Sequence, residues 1–446
     1  MRAFFHSLSL LLLGVLIAQP AYALSLIRDA ETEALLRDYS DPIFEAAGLE
    51  PSSVNIFIVN DPTLNAFVAG GANMFIHTGL IMASKEPETL IGVIAHETGH
   101  IAGGHLARGT EALKDAQLST ILSYVLGAAA GLAGGGEAAA GILSAGQHVT
   151  QRNILSFTRV NEQAADQAAL SYLDKTNISP EGMLSLMEKL RSREQLYRTK
   201  LDPYALTHPL SKERIAHVRG HLLKQNKKAP KLDAETMERH ARVLGKLKGF
   251  LNDPEILLQA TANEKTSDKL TRIVAAHRLS KTEDALKGID ELLVKEPKNP
   301  YFLELKAQIL SETGRHSESR PYIQKALSLK PDSGLLRTDY ARVLMSQKNA
   351  DFTLAAKELS RASQQDHTNA LTWQLLGQAE AEIGHNGKAA LAYAEAALLR
   401  SDGELARRYA TEALDKLPKT SPAMLRAQDA REEAIRLQRE KKEKAS

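Results

Sequence analysis

Residues 90–106 read LIGVIAHETGHIAGGHL and contain the motif H-E-x-x-H. The apolar run in front of the motif predicts a buried helix from Glu88 to Ala107. At 3.6 residues per turn, His96 and His100 lie one turn apart on the same face, so both imidazoles can reach one metal ion. Two imidazole nitrogens at this spacing suit zinc. This stretch therefore predicts a metal site on a buried helix.

The residues around the motif decide what kind of metal site it is. Glu97 is rotated by about 100° from His96 and points beside the metal, where it can act as a general base. A catalytic zinc takes three protein ligands and leaves one position open, so a third ligand must come from elsewhere. A third His six residues after His100 would complete one pattern, but Leu106 stands there. His105 falls one residue short and is rotated by about 140° from His100, so we expect it to face a neighbour or solvent.

A second pattern takes the third ligand from a later helix, which is predicted from Glu162 to Leu173. Glu162 and Asp166 lie four residues apart on one face, and the small Ala164 and Ala165 allow a close approach to the first helix. We expect Glu162 to be the third ligand. Asp166 can then accept the outer N–H of a ligating His, which fixes its tautomer. The alternative, an exposed acidic face, places two like charges at i,i+4 and is mildly destabilising.

The composition excludes several other classes of function. The chain has 446 residues, enough for two or three domains, and 43% of them are hydrophobic. It has no cysteine, which excludes disulfide scaffolds, thiolate zinc sites, iron–sulfur clusters and cysteine nucleophiles. Its formal net charge of +2 is far from the basic balance of a nucleic-acid-binding protein, so we expect no nucleic-acid partner. A metal site must therefore use His and carboxylate ligands, and we expect one catalytic zinc per chain.

The N-terminus has the pattern of an export signal. A positive charge at Arg2 is followed by a mostly apolar run over residues 8–18 and by an A-x-A sequence at 21–23. This pattern predicts a signal peptide over residues 1–23, cleaved after Ala23. The alternative, an uncleaved anchor, needs about 20 apolar residues, more than this run has. We expect an exported protein, located in the periplasm if the cell is Gram-negative.

An Ala/Gly-rich stretch occupies residues 121–146 and is interrupted by Glu137. Its many glycines and its charge argue against a transmembrane helix and favour a close-packed or mobile helical hairpin. The alternative is a gate over the active site or a segment that makes peripheral contact with a membrane.

Two strands are predicted upstream of the motif. The run VNIFIV from Val54 to Val59 is rich in β-branched and aromatic residues and is bounded by turn residues. Met74–His77 follows the turn at Gly70-Gly71, and we expect it to be an edge strand that can pair with an extended substrate. Beyond these strands the chain reads as helical, including Pro180–Arg191.

The C-terminal half is repetitive. The charged sequence KQNKKAPK at 224–231 marks a boundary, and 226–264 is predicted to be a helical linker. From 265 to 420 small and apolar residues recur at the offsets of tetratricopeptide repeats, and Pro297 and Pro331 lie 34 residues apart. The clearest unit contains Trp373, Leu376, Gly377, Gly384, Ala389, Tyr393 and Ala396.

This pattern predicts four stacked helix–turn–helix units, because each unit alone cannot bury its apolar face. Such a solenoid presents a concave surface that suits an extended or helical partner. The remaining residues, 421–446, are predicted to form a charged C-terminal helix or tail.

The motifs together resemble the family of zinc metallopeptidases that includes the CAAX prenyl protease and the heat-shock protease of the inner membrane. The matching sequences are His96-Glu97-Thr98-Gly99-His100, the E-x-x-A-D from Glu162 to Asp166, Asn65-Ala66-Phe67 with Gly79-Leu80, and His208-Pro209 followed by Glu213-Arg214. The resemblance implies an α+β, mainly α fold, with a zincin-like metallopeptidase domain over residues 24–225 before the α-solenoid of tetratricopeptide repeats.

Four catalytic residues are expected from the residues and the resemblance together. Glu97 accepts a proton from the attacking water and passes it to the leaving amine. The resemblance assigns Asp166 as a proton donor, whereas its spacing favours an orienting role. His208 is either a turn residue, an oxyanion stabiliser or a fourth zinc ligand that holds the enzyme inactive, as the resemblance implies. Arg214 either stabilises developing negative charge or pairs with Asp166.

With the export signal and the repeats, the resemblance implies a zinc-dependent endopeptidase, with a chaperone role beside it, in periplasmic quality control of outer-membrane β-barrel proteins. Misfolded or stalled outer-membrane proteins are then the expected substrates, and the solenoid is expected to dock onto the β-barrel assembly machinery. The alternative is a tetratricopeptide scaffold or chaperone whose zinc site is structural or self-inhibited.

Overall fold

The computed structural model describes residues 25–105, 159–196, 208–225, 229–259 and 265–443. The predicted signal peptide at 1–23 and the Ala/Gly-rich stretch at 121–146 lie outside these residues. Within the described part of the chain, no helix is both long enough and apolar enough to cross a membrane.

A small sheet lies beside the helices of the N-terminal half. In the described residues its strands are β1 (Leu26–Ile27), β2 (Asn55–Val59), β3 (Ala66–Ala69) and β4 (Asn73–His77), in the order β1-β2-β4-β3. β2 and β4 are parallel, whereas β1 and β3 each pair antiparallel with their neighbour. The two predicted strands are confirmed as β2 and β4, and β1 and β3 are additions to them.

The prediction that Met74–His77 forms an edge strand is wrong. β3 folds back onto β4 through a turn at Gly70 and Gly71, where φ is +57° and +92°. These left-handed conformations favour glycine because it has no Cβ to clash with the following carbonyl. The resulting hairpin places β4 inside the sheet and makes β3 the last strand on this side among the described residues.

Three helices accompany the sheet: α1 (Ala30–Ala46), α2 (Thr78–Ala83) and α3 (Pro87–Ala102). The alternation along the strands turns Ile58 and Ile76 into the core, where both are buried together with the apolar side of α3. α3 begins with Pro87 at its first turn and ends at Ala102, five residues before the predicted end. It ends there because Gly104 has φ of +60° and turns the chain.

α3 lies between two further helices, α4 (159–176) and α5 (Glu181–Leu196). A Cβ added at Gly99 of α3 would lie 2.9 Å from the carbonyl oxygen of Ala165 in α4. A Cβ at Gly92 would lie 2.8 Å from the Cβ of Met183 in α5. Both glycines therefore allow helix backbones to approach more closely than any larger residue would permit. The predicted small-residue contact is made by Ala165, whereas Ala164 is exposed.

After α6 (Lys212–Lys224), two bridging helices follow, α7 (Ala234–Leu251) and α8 (Pro254–Gln259). α7 is bound to the N-terminal half through buried charge. Lys246 is almost fully buried, and its Nζ lies 2.7 Å from Asp29 Oδ2 and 3.4 Å from Glu31 Oε2 at the start of α1. The same ammonium lies 3.7 Å from Glu304 Oε2, which belongs to the next part of the chain.

The rest of the described chain is an array of antiparallel helix pairs. Its helices are α9 (Thr266–Arg278), α10 (Thr282–Lys295), α11 (Pro300–Glu312), α12 (His316–Leu329), α13 (Gly334–Met345), α14 (Phe352–Gln365), α15 (Ala370–Glu382), α16 (Asn386–Leu399), α17 (Gly403–Lys416) and α18 (Pro422–Glu443). The first helices of successive pairs begin 34 residues apart at Thr266, Pro300 and Gly334. This period and the buried small residues are those of a tetratricopeptide solenoid, which confirms the predicted fold class.

Candidate active site

The centre of the site is formed by two imidazoles of α3. His96 and His100 are buried, and their Nε2 atoms lie 3.2 Å apart, one helical turn from each other. α4 adds Glu162, whose Oε1 lies 3.3 Å from His100 Nε2 and whose Oε2 lies 3.4 Å from His96 Nε2. The close contact at Gly99 and Ala165 brings α4 near enough for this carboxylate to reach both imidazoles.

A fourth side chain enters from the segment before α6. Nδ1 of His208 lies 3.1 Å from Glu162 Oε1 and 3.4 Å from His96 Nε2. Ligand atoms of His96, His100, Glu162 and His208 all lie within 4.8 Å of one another. Around a tetrahedral zinc with bonds of about 2.0–2.1 Å, neighbouring ligand atoms are about 3.3 Å apart. Five contacts of 3.1–3.4 Å join these side chains, with Oε1 of Glu162 facing His100 and His208 and Oε2 facing His96, and their lengths are close to this separation.

Glu97 lies beside this group with no exposed surface. Neither of its carboxylate oxygens has a hydrogen-bond donor among the described residues, and Oε1 lies 3.4 Å from His208 Nε2. Burial raises the pKa of Glu97, and the nearby imidazoles of His208 and His96 oppose this rise only partly. A carboxylate with a raised pKa is suited to take up and return a proton near neutral pH.

Asp166, one turn after Glu162, lies behind His96. Its Oδ1 lies 3.0 Å from His96 Nδ1, so it contacts the nitrogen that faces away from the four-residue group. Burial alone would raise the pKa of Asp166, but the hydrogen bonds from Arg214 and His96 outweigh it and the pKa is lowered. An ionised carboxylate at this place can accept the Nδ1–H of His96 and leave Nε2 facing the four-residue group. This geometry favours the orienting role over that of a proton donor.

Arg214 stands in the first turn of α6, where the backbone N–H donates to the Ser211 hydroxyl at the helix start. Its guanidinium donates to Asp166 through Nε at 2.7 Å and Nη2 at 2.8 Å. Nη1 lies 2.7 Å from Glu162 Oε2 and also donates to the carbonyl of Pro209. Of the two predicted roles for Arg214, the structure shows the pairing with Asp166.

The charges around them give the two imidazoles different proton affinities. Burial lowers the pKa of His96, but the carboxylates of Asp166 and Glu162 outweigh it and raise this pKa to about 10. At His100 burial dominates and lowers the pKa to about 4. His100 is thus already neutral, the form that binds metal, whereas His96 must lose a proton to bind it.

The sequence did not decide whether the His105 side chain faces a neighbouring residue or solvent. It is buried, and its Nδ1 lies 3.0 Å from Nδ1 of His100. It reaches this position because the chain leaves the helix at Gly103-Gly104 and turns back. The glycine pair was the signal that the helix would not continue to His105.

A buried H-E-x-x-H helix, a carboxylate from a second helix and a donor set that fits a metal ion define a metalloendopeptidase. Residues 29–222 match the family described as Peptidase family M48.

Several relatives match across most of this chain. The "Beta-barrel assembly-enhancing protease" of Escherichia coli (strain K12) is 26% identical over 348 residues, which cover 76% of this chain and 70% of the relative. The protein of the same name from Yersinia pestis is 27% identical over 360 residues, which cover 77% and 71%. Among solved structures, "Crystal structure of MamA" is 15% identical with a TM-score of 0.29, and the match covers 38% of this chain and 96% of that one.

Proposed function

We propose that this protein is a zinc-dependent endopeptidase that acts in the assembly and quality control of outer-membrane β-barrel proteins in the periplasm. The names of the two relatives support the substrate class. The predicted signal peptide supports export, and the lack of cysteine leaves His and carboxylate as ligands. Misfolded or stalled outer-membrane proteins are the proposed substrates.

His96, His100 and Glu162 would hold the metal, and the two-imidazole, one-carboxylate donor set suits zinc. When bound, zinc supplies Lewis-acid chemistry, in which a water molecule becomes more acidic and the peptide carbonyl is polarised. Glu97 accepts the proton of the attacking water and delivers it to the leaving amine. Asp166 keeps His96 in the tautomer that presents Nε2, and Arg214 keeps Asp166 ionised and in place.

The observation that carries this proposal is the set of contacts of 3.1–3.4 Å between the ligand groups, beside a buried Glu97 whose oxygens have no hydrogen-bond donor among the described residues. Glu97→Gln tests it, because the amide keeps the shape of the side chain but cannot accept the proton. The variant should bind one zinc per chain and lose at least about 100-fold in cleavage of an unfolded protein.

Glu88→Gln, in the first turn of the same helix, is the matched control and should cleave as the parent does. Cleavage by Glu97→Gln at the parent rate would contradict the mechanism. The rival proposal is a scaffold whose zinc is structural, and it expects no cleavage by the parent protein. Cleavage by the parent that is lost in Glu97→Gln would therefore contradict the rival.

A second proposal concerns His208, which contacts both the ligand group and Glu97. We propose that His208 takes the fourth ligand position in the resting enzyme and excludes water from it. Substrate would have to displace His208 before cleavage. This contact supports a self-inhibited resting state more than a role as oxyanion stabiliser, because an oxyanion donor has no need to approach the general base.

The solenoid is proposed to dock onto the β-barrel assembly machinery or onto substrate, and a chaperone role would use the same surface. Capture with full-length Glu97→Gln, followed by identification of the bound proteins, tests the partner class. Contact of residues 121–146 with the membrane stays a prediction for a part of the chain outside the described residues.

A further inference from the structure

His100 has a partner on the side that faces away from the four-residue group. Its Nε2 lies 3.2 Å from His96 Nε2, whereas its Nδ1 lies 3.0 Å from Nδ1 of His105. The two rings meet at 80° with their centroids 5.0 Å apart, an edge-on contact. Both rings are at least nine-tenths buried, so water does not compete freely for this hydrogen bond.

The chemistry of imidazole decides which of the two nitrogens donates. A neutral imidazole carries one N–H, and a ring that offers the Nε2 lone pair to a metal must carry its proton on Nδ1. Nδ1 of His100 therefore donates, and Nδ1 of His105 accepts. His105 in turn carries its own proton on Nε2.

We propose that His105 is a positioning residue that fixes the tautomer and ring orientation of His100 for metal binding. The proposal rests on the proposed ligation by His100. In this proposal His105 accepts the Nδ1–H of His100 as Asp166 accepts the Nδ1–H of His96, but the two acceptors differ in charge. Asp166 is an anion paired with Arg214, whereas His105 accepts the hydrogen bond without a negative charge.

Two glycines in the turn after α3 allow His105 to contact His100. A Cβ added at Gly103 would lie 2.5 Å from Nε2 of His105, so a larger residue there would displace the ring. Gly104 has φ of +60°, a conformation that glycine adopts without strain and that ends the helix. The two glycines thus place His105 against the ligand that precedes it by only five residues.

Two variants of nearly equal size separate the hydrogen bond from packing. In His105→Asn the amide oxygen can take the place of the imidazole Nδ1 and accept from His100. His105→Leu has a similar volume and no acceptor. The affinity of the purified full-length proteins for Zn²⁺ alone is measured by competition with a chelator. His105→Leu should bind zinc about 10–100-fold more weakly than the parent, the range found for lost partners of metal ligands. His105→Asn should stay within a few-fold of the parent.

His217→Ala, at an exposed position of α6, serves as the control for loss of an imidazole and should bind zinc as the parent does. Equal zinc affinity of His105→Leu and the parent would overturn the proposal. A loss in His105→Asn as large as in His105→Leu would also overturn it. If His105→Leu does not fold, as judged by far-UV circular dichroism, the Asn variant decides alone, since retained affinity supports the acceptor role and lost affinity refutes it. A parent that binds no zinc would instead refute the proposed function.

Discussion

Arg214 and Asp166 meet in a two-point ion pair, with 2.7 Å between Nε and Oδ2 and 2.8 Å between Nη2 and Oδ1. Both side chains are at least nine-tenths buried, and Asp166 also contacts His96. The pair connects α6 with α4 and, through His96, with α3. The orientation of a proposed metal ligand thus depends on a residue that comes 118 positions later in the sequence.

Replacing Arg214 with Gln should destabilise the protein strongly. The substitution removes the guanidinium that pairs with both buried carboxylates, Asp166 and Glu162, and breaking such a pair costs about 3–5 kcal/mol. Urea unfolding of the metal-free protein measures the loss. Arg219, on the same helix as Arg214, makes an exposed pair with Glu188 of α5, and Arg219→Gln should cost less than about 1 kcal/mol. Equal losses of unfolding free energy in the two variants would show that the buried pair stabilises the protein no more than the exposed pair does.

Replacing His208 with Ala should increase proteolysis if His208 takes the fourth ligand position at rest. The small side chain opens that position to water and removes the contact with Glu97. The rate of casein cleavage and of autolysis is measured, with zinc content as the control. We expect a rise of about threefold or more, corresponding to about 0.7 kcal/mol of released inhibition. A large fall in kcat would favour the oxyanion role, and an unchanged rate would remove His208 from the mechanism.

Much of the site follows from local periodicity, which is why sequence reasoning could predict it. The one-turn spacing of His96 and His100 depends only on the helix, and so does the spacing of Glu162 and Asp166. The contact between His105 and His100 could not be predicted from helical geometry, because it depends on the end of the helix at Gly104. A helix that continued to Ala107, as predicted, would place His105 on a different face from the one it occupies after the turn.

The errors in the fold have a similar origin. β3 is only four residues long and contains two alanines, so its sequence carries little strand signal. It forms a strand because it pairs with β4, and this pairing decides which strand is last in the sheet. The buried charges around Lys246 were also not foreseen, because a lysine in an amphipathic helix reads as exposed until its tertiary partners are known.

Lys246 should be needed to hold the two halves of the chain together. Its ammonium lies near Asp29 and Glu31 of the N-terminal half and near Glu304 of the solenoid. Lys246→Met keeps the length of the side chain and leaves the carboxylates of Asp29 and Glu31 without their buried cation, so a loss of about 3–5 kcal/mol is expected in urea unfolding. Lys248→Met, exposed on the same helix, is the matched control. If both variants unfold at the same urea concentration, the charge cluster does not stabilise the protein.

Glu304 should make the stability of the protein depend on pH. Burial raises the pKa of Glu304 to about 8, since Lys246 opposes the effect only partly and Asp29 adds to it. The folded protein holds this proton up to about pH 8, whereas the unfolded chain releases it near its ordinary value of 4.5. The stability that comes from this group is complete below pH 4.5 and is lost as the pH rises through 8.

Glu304→Gln imitates the protonated side chain at every pH and removes this dependence. Relative to the parent, the variant should gain on the order of 4 kcal/mol more in unfolding free energy at pH 9 than at pH 5. Urea unfolding at a series of pH values measures the difference between the two proteins. Glu291→Gln, an exposed position on α10, should follow the parent at each pH. A gain for Glu304→Gln that is the same at pH 5 and pH 9 would mean that Glu304 is already ionised in the folded protein, held by Lys246 alone.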